Sequence, residues 1–432
     1  MGARVCESYQ LNKFIFMKVR IRKRLFIIFI LLIAVSRSLI AQSDVIIIEG
    51  QIRDAQNIER IANAAITVKG TAVGTVSNSE GEFILKIPKD INAKYFTVSH
   101  ISYLTKTLSV NEYAGAKKTI LLEPQVVQLG GVNVLKADPK EVVLKAYEKI
   151  KKNYSLNPNM MKGFYRESIR QRRDYISITE AVVDIYKLAY DDTRFDQVSI
   201  FKGRKGVNVK KADTLNVMLQ GGPTILLYLD VAKNPEIGIE LINWENYHFR
   251  FLDFVTIDDK QNYVIEFAPA RKLDYPLYFG KIYIQQDNLA ITRAEFSMDI
   301  SDLEKATRLF IVKKPQGMIF VPTGTNYLVA YKEQDGKYFL NYLKIELKFK
   351  SDWKRKLFRN NYTVISEMAI TDRREVDAAK IPNAERFKPN MILSREVGDF
   401  YDEDFWGKDN IIEPEEAIEK AIRRITKKME QQ

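Results

Sequence analysis

The hydrophobic positions of this chain recur mostly every second residue, in runs divided by polar turns. Ile46-Ile47-Ile48-Glu49-Gly50-Gln51-Ile52 opens the series, and Ala65 to Val68 follows. Phe83, Leu85 and Ile87 alternate with Glu82, Ile84 and Lys86, and Phe96 and Val98 with Thr97 and Ser99. A period of two places alternate residues on one strand face, so these runs predict half-buried strands. Asn78-Ser79-Glu80-Gly81 predicts a turn, with Gly81 free to take a positive φ. Thr119 to Leu122 closes this first region.

The period changes at Asp138-Pro139-Lys140-Glu141, which combines an N-cap, a proline at the first helical position and an acid in the first turn. Val142, Val143, Ala146, Tyr147 and Ile150 then share one helix face. Lys149, Lys151 and Lys152 lie where the helix dipole favours cations. From Gly163 to Thr371 alternation returns, rich in aromatics, with long runs at Asp174 to Tyr190 and Trp244 to Ile257. Phe279 to Gln285 with Ala290 to Met298 predicts one hairpin, and Met318 to Tyr331 with Tyr338 to Phe349 another. Strands so long and consecutive favour a curved antiparallel meander over a βαβ fold. Ala212 to Ala232 breaks the pattern: Leu215 to Leu219 and Ile225 to Leu229 predict short helices around Gly221-Gly222-Pro223. Pro414 to Met429 predicts an amphipathic tail helix with Ile418, Ala421, Ile422, Ile425 and Met429 on one face.

Charge changes meaning once export is considered. Met17 opens a basic segment, Leu25 to Val35 is a nearly pure apolar run, and Leu39-Ile40-Ala41 places a small residue before Gln42. That order predicts a secretory signal cut between Ala41 and Gln42, with residues 1–16 an over-extended start. Residues 1–41 hold eight Lys/Arg and one acid, so their removal lowers the formal net charge from +12 to +5. The sole cysteine, Cys6, leaves with them. The mature protein is then mildly basic, has no disulfide, and relies on its cores for stability. No nucleic-acid partner is expected.

Several residues of the first region carry a resemblance. G-Q-I-R-D at Gly50, V-K-G-T-A-V-G-T-V-S-N-S-E-G-E-F at Val68 and V-S-H-I-S-Y at Val98 resemble the carboxypeptidase-regulatory-like (prealbumin-like) domain of Bacteroidota envelope proteins. The same module precedes the plug of starch-utilisation-type outer-membrane transporters. Ser102 stands where that family usually has Gly, and His100 where an aromatic is common. Gly163-Phe164-Tyr165-Arg166-Glu167, Asp404-Phe405-Trp406 and Asn410-Ile411-Ile412-Glu413-Pro414-Glu415-Glu416 resemble the second domain and tail of proteins carrying that module. The expected half-barrel under helices is similar in architecture to the lipoprotein-carrier (LolA-like) superfamily. The resemblance implies an envelope protein of the periplasm or outer membrane.

The expected fold is thus mainly β: a prealbumin-like sandwich at 42–124, a linker and helix at 125–158, a curved half-barrel-like β domain at 159–376 and a tail at 377–432. Chemistry is sparse. A zinc peptidase needs several His and Glu ligands, and the two histidines, His100 and His248, have no such spacing. Gly221-Gly222-Pro223 lacks the G-K-[ST] of a phosphate loop, and no G-x-S-x-G elbow exists. The acids Asp399, Asp402, Glu403, Asp404 and Asp409 fit no EF-hand loop. Basic clusters at Arg170, Arg172 and Arg173, at Lys202, Arg204 and Lys205, and at Lys350 to Arg359 read as solvated faces or as contacts to anionic headgroups or glycans.

No catalytic residue, cofactor or metal ligand is therefore assigned. The expected role is binding or accessory work at the outer membrane, with a lipid or other envelope component, or an outer-membrane protein, as partner. The alternative is a carboxylate-based hydrolase of envelope glycans or peptides, for which Asp299 and Asp302 are the nearest pair in sequence. The apolar ligand is expected between the curved sheet and the Ala212 to Ala232 helices. Phe249, Phe251, Phe279, Tyr283, Phe296 and Tyr327 are the residues expected to meet it.

Overall fold

The computed structural model describes residues 45–125, 138–172, 174–207, 218–219, 221–234, 243–313, 316–353, 360–377, 380–399 and 405–429. The signal segment and its Ala41–Gln42 cut, Arg173, Leu215 to Val217, Lys354 to Arg359 and Phe400 to Asp404 lie outside these residues. Residues 47–432 form one compact unit. The fold is mainly β, with sandwich-like N-terminal sheets and a large curved antiparallel sheet that does not close.

The N-terminal strands are β1 (Val45–Asp54), β2 (Ala65–Val68), β3 (Gly74–Val76), β4 (Glu82–Pro88), β5 (Tyr95–Ser99), β6 (Lys106–Ser109) and β7 (Lys118–Leu122). They make a three-stranded sheet, β4-β1-β7, and a four-stranded sheet, β3-β2-β5-β6. Alternation decides what each buries: Phe83, Leu85 and Ile87 are interior, as are Ile48 and Ile52. The Asn78 side chain accepts from the Glu80 and Glu82 amides, and Gly81 completes the turn at φ 74°. Ser102 has a φ of 67°, the left-handed region that explains glycine at this position in the resembling family.

The helix Pro139–Glu148 begins at Asp138, whose side chain accepts from the Lys140 amide at 3.0 Å. Val142, Val143 and Ala146 bury its apolar face. The remaining strands are β8 (Asn159–Gln171), β9 (Asp174–Lys187), β10 (Gln197–Val207), β11 (Met218–Leu219), β12 (Tyr247–Ile257), β13 (Lys260–Pro269) and β14 (Tyr278–Gln285). They continue with β15 (Ile291–Met298), β16 (Ile311–Lys313), β17 (Met318–Gln334), β18 (Lys337–Trp353), β19 (Asn360–Glu375) and β20 (Gly398–Asp399). Eleven of them form the large sheet in the order β12-β13-β14-β15-β17-β18-β19-β8-β9-β10-β20.

Neighbours in this sheet are antiparallel except β20, which lies parallel to β10. Both expected hairpins are present, as β14–β15 and β17–β18. Asp335 and Gly336 turn the second with φ of 53° and 76°, as a tight two-residue hairpin loop requires. At Gly280 a Cβ would lie 2.2 Å from the Glu295 carbonyl oxygen, so β14 and β15 approach as only glycine allows.

The meander is interrupted after β10 and again after β19, whose successor β20 lies beside β10. After β10 the chain crosses to the far edge, and β19 returns to pair with β8. One expected helix is corrected: within Leu215 to Leu219, Met218–Leu219 is a short strand paired with β16. The helix that does form is Pro223–Leu227, with Pro223 in its first turn. The tail helix is Glu416–Met429, starting just after Pro414.

The sheet's two faces are covered differently. The inner face, bearing Tyr165, Ile185, Ile265, Phe267 and Val329, forms the largest core with the helices Pro139–Glu148 and Pro223–Leu227. The outer face packs Phe164, Val182, Tyr342 and Ala369 against Val76 of the sandwich and against Trp406, Ile411 and Ile412 of the tail. The segment before the tail helix is therefore wedged between sandwich and sheet. Thr75 Oγ1 donates to the Ile411 carbonyl at 2.7 Å, and Asn410 exchanges two hydrogen bonds with the Lys86 backbone.

Candidate functional site

A cavity of about 750 Å³ opens on the inner face of the large sheet. Its floor runs across the strands because alternate residues share a face. Tyr327, Ile345 and Ser366 are successive cross-strand neighbours, followed by Glu167 on β8. Leu347, Val364 and Ile169 form the next row. Three helical segments wall it: Ile225 and Leu226 of Pro223–Leu227, Leu309 and Phe310 of Leu303–Phe310, and Ser394 and Arg395 of Leu393–Glu396. The lining is predominantly apolar, and its size falls within the ~300–1,000 Å³ typical of small-molecule sites.

The segment over the cavity is anchored at both ends. At its start, the Gly222 amide donates to the Tyr165 hydroxyl at 3.2 Å, and Thr224 Oγ1 donates to the Phe387 carbonyl at 2.7 Å. At its end, Asp230 is fully buried and accepts from Lys187 Nζ at 2.6 Å and from the Tyr331 hydroxyl at 2.6 Å. Lys187 also donates to Asp196 at 2.7 Å. Burial alone would push the Lys187 ammonium down, but Asp196 and Asp230 outweigh it and hold its pKa above the ordinary lysine value. Such a segment keeps the cavity preformed.

Glu167 is the one carboxylate among the described residues that line the cavity. Burial pushes its carboxyl above the ordinary range, against hydrogen bonds from Tyr165, Ser366 and the Gly222 amide that favour the charged form. The Ser177, Ser366 and Ser394 side chains add polarity, and exposed Arg395 sits at the rim. Glu167 is not among the residues expected from sequence to meet a ligand. The signal was its alternation with Tyr165 and Ile169, which places all three on one face.

The six aromatics named from sequence are divided between the faces. Tyr327 lines the cavity, and Phe296 stacks on it with ring centroids 5.1 Å apart. Phe249 and Phe251 pack against the inner core near the β12 edge. Tyr283 points to the outer face, where it joins Val255, Val264 and Ile101 of the sandwich. Phe279 is also on the outer face and is 46 % exposed.

Other candidates resolve into structural roles. Asp302 caps the helix Leu303–Phe310 by accepting from the Lys305 amide, and Asp299 accepts from the Ser301 amide. Asp409 pairs with Lys202 at 2.6 Å and Lys162 at 3.3 Å. Arg204 pairs with Glu180 at 3.1 Å, and Lys205 donates to the Ser394 carbonyl. Burial pushes His100 down to about 4, so it is neutral at physiological pH. His248 lies exposed on β12. Among the described residues no cluster of His, Cys, Asp and Glu has the makings of a metal site.

Comparison with known proteins finds a family likeness for the N-terminal region. Residues 48–134 match the CarboxypepD_reg-like domain. The matched stretch takes in most of β1 and all of β2 to β7. No curated protein sequence matches the chain. Among solved structures, it is similar to a DUF1329 family protein from Desulfovibrio piger, at 10% identity and a TM-score of 0.25. That alignment covers 56% of this chain and 96% of the other.

Proposed function

We propose that this is an exported, non-enzymatic protein of the cell envelope that holds an apolar ligand in the cavity of its large sheet. The observation that carries the reading is the preformed cavity of about 750 Å³, floored by Tyr327, Ile345 and Leu347 and roofed by an anchored helical segment. An apolar space of this size favours an apolar guest over water. The CarboxypepD_reg-like domain supports an accessory role for the whole, and the basic, apolar and small-residue order before Gln42 supports export. A lipid or another envelope component is the proposed ligand class, and an outer-membrane protein the proposed partner. The hydrolase alternative gains no support here, because a paired-carboxylate mechanism needs two facing acids and Glu167 is the one acid in the wall among the described residues.

The test is titration of residues 42–432 with a fluorescent fatty acid. Saturable binding is expected, and Ile345→Trp, which fills the floor, is expected to weaken it by about tenfold or more. Non-saturable binding, or equal binding by the filled variant, contradicts the proposal. Export is tested by N-terminal analysis of the protein from its native envelope. A chain beginning at Gln42 is expected, and retention of Leu25 to Val35 contradicts it.

A further inference from the structure

The outer face of the large sheet carries a row of alternating charges, one residue per strand. In its first half Arg250, Glu266, Lys281 and Glu295 are successive cross-strand neighbours, with Leu328 and then Lys344 next in line. In its second half Lys344 faces Glu367, followed by Arg166, Glu180 and Arg204. Opposite charges stand opposite each other at every step except Leu328, the arrangement that stabilises rather than splits a sheet.

The two halves differ in exposure. Arg166 and Glu180 are buried beneath the tail and joined at 2.8 Å. The first half instead forms the floor of an open groove of about 560 Å³ on strands β13, β14, β15, β17 and β18. The Asn63 turn of the sandwich stands at its side. The next row of residues along the groove includes Phe279, Ser297, Asn326 and Glu346. Phe279 is a large aromatic left 46 % exposed among polar neighbours. Lys281 and Lys344 make no ion pair or hydrogen bond among the described residues.

This lining selects a chemical class. Charges of alternating sign about 4.8 Å apart cancel at longer range, so the groove offers little net field to a polyanion or polycation. It does offer donors at Lys281 and Lys344, the remaining carboxylate lone pairs of Glu295 and Glu346 beside their ion pairs to Arg293 and Lys348, and the remaining donor and acceptor sites of Ser297 and Asn326, which are joined to each other at 3.2 Å. A hydroxyl both donates and accepts. A ligand rich in hydroxyls, without net charge and with a C–H face to lie on an aromatic ring, satisfies every part of this surface. We infer that the groove binds a neutral carbohydrate chain, with Phe279 as the stacking platform and Lys281, Asn326 and Glu346 as hydrogen-bonding partners. This site lies on the opposite face of the sheet from the apolar cavity and does not depend on it.

The test is affinity electrophoresis of residues 42–432 through native gels containing laminarin, mannan, xylan or glycogen, followed by calorimetry with oligomers of the retarding polysaccharide. Retardation by at least one of the four is expected. Phe279→Ala should weaken binding by about tenfold or more, as loss of an interface aromatic does. Phe279→Trp should retain it, and about 0.5 M NaCl should leave it nearly unchanged, since no net charge drives it. Phe279 is half exposed, and circular dichroism of both variants should match the parent. Retardation by none of the four, or equal retardation of Phe279→Ala, overturns the proposal. Binding of a peptide of alternating Glu and Lys in place of the sugars, abolished by that salt, assigns the groove to a protein partner and also overturns it.

Discussion

Glu413 lies in the wedge between sandwich and sheet, close to Arg166 and to the acids Glu49, Glu82 and Glu419. Burial, more than those acids, pushes its carboxyl up to about 7, and Arg166 opposes the shift only in part. A carboxyl whose pKa is raised on folding binds its proton more tightly in the native state. Stability from this group is therefore full at pH values below about 4.5, falls as pH rises through about 7, and then levels off. With its partial exposure discounted, the loss is on the order of 1–2 kcal/mol. Glu413→Gln is expected to raise the urea midpoint at pH 8 and to leave it nearly unchanged at pH 5. An equal effect at both values contradicts this origin. Residue positions of this kind were only partly legible. Gly81 announces its turn, because positive φ is a local demand. Arg166 and Glu180 do not announce their burial, because both faces of the sheet are covered around them and the polar/apolar alternation no longer separates inside from outside there.

Among the elements, the helical segment Gly221 to Asn234 matters most, and Lys187 on β9 is what holds its end. Lys187→Met removes the cation shared by Asp196 and Asp230 and leaves both carboxylates buried without it. Breaking such a buried pair costs about 3–5 kcal/mol. Chemical denaturation should show a loss of that order, and Tyr331→Phe a smaller one of about 2–3 kcal/mol, for one hydrogen bond given to a charge and one accepted from the Ala232 amide. A loss below about 1 kcal/mol for Lys187→Met would mean that the network does not anchor the segment. The hairpins β14–β15 and β17–β18 were legible because polar turn residues separate long alternating runs. The short helix read at Leu215 to Leu219 failed at Met218–Leu219 for a physical reason. Five residues are too few to display a period, and the partner strand β16 comes some ninety residues later in the chain.

Over the whole molecule, sandwich, sheet and tail share their cores. Val76 packs on Phe164 and Ile412, and Ile101 on Val264 and Tyr283. The mainly β class, the N-terminal module and the curved sheet follow from local pattern and were legible. The return of β19 to β8, the addition of β20 to the edge and the charge row across the outer face are non-local pairings that no window of sequence displays. The cavity was legible in outline, as a curved sheet under a helical segment too short to cover it. Its walls were not, since Leu309, Ile392 and Arg395 come from elements distant in the chain. The proposed function requires this space to hold an apolar guest. Native mass spectrometry of residues 42–432, purified from the native host without detergent, tests it most directly. A discrete added mass is expected on the parent protein, removed by solvent extraction and lacking in Ile345→Trp. A parent protein found only at its bare polypeptide mass, with nothing apolar in the extract, would contradict it.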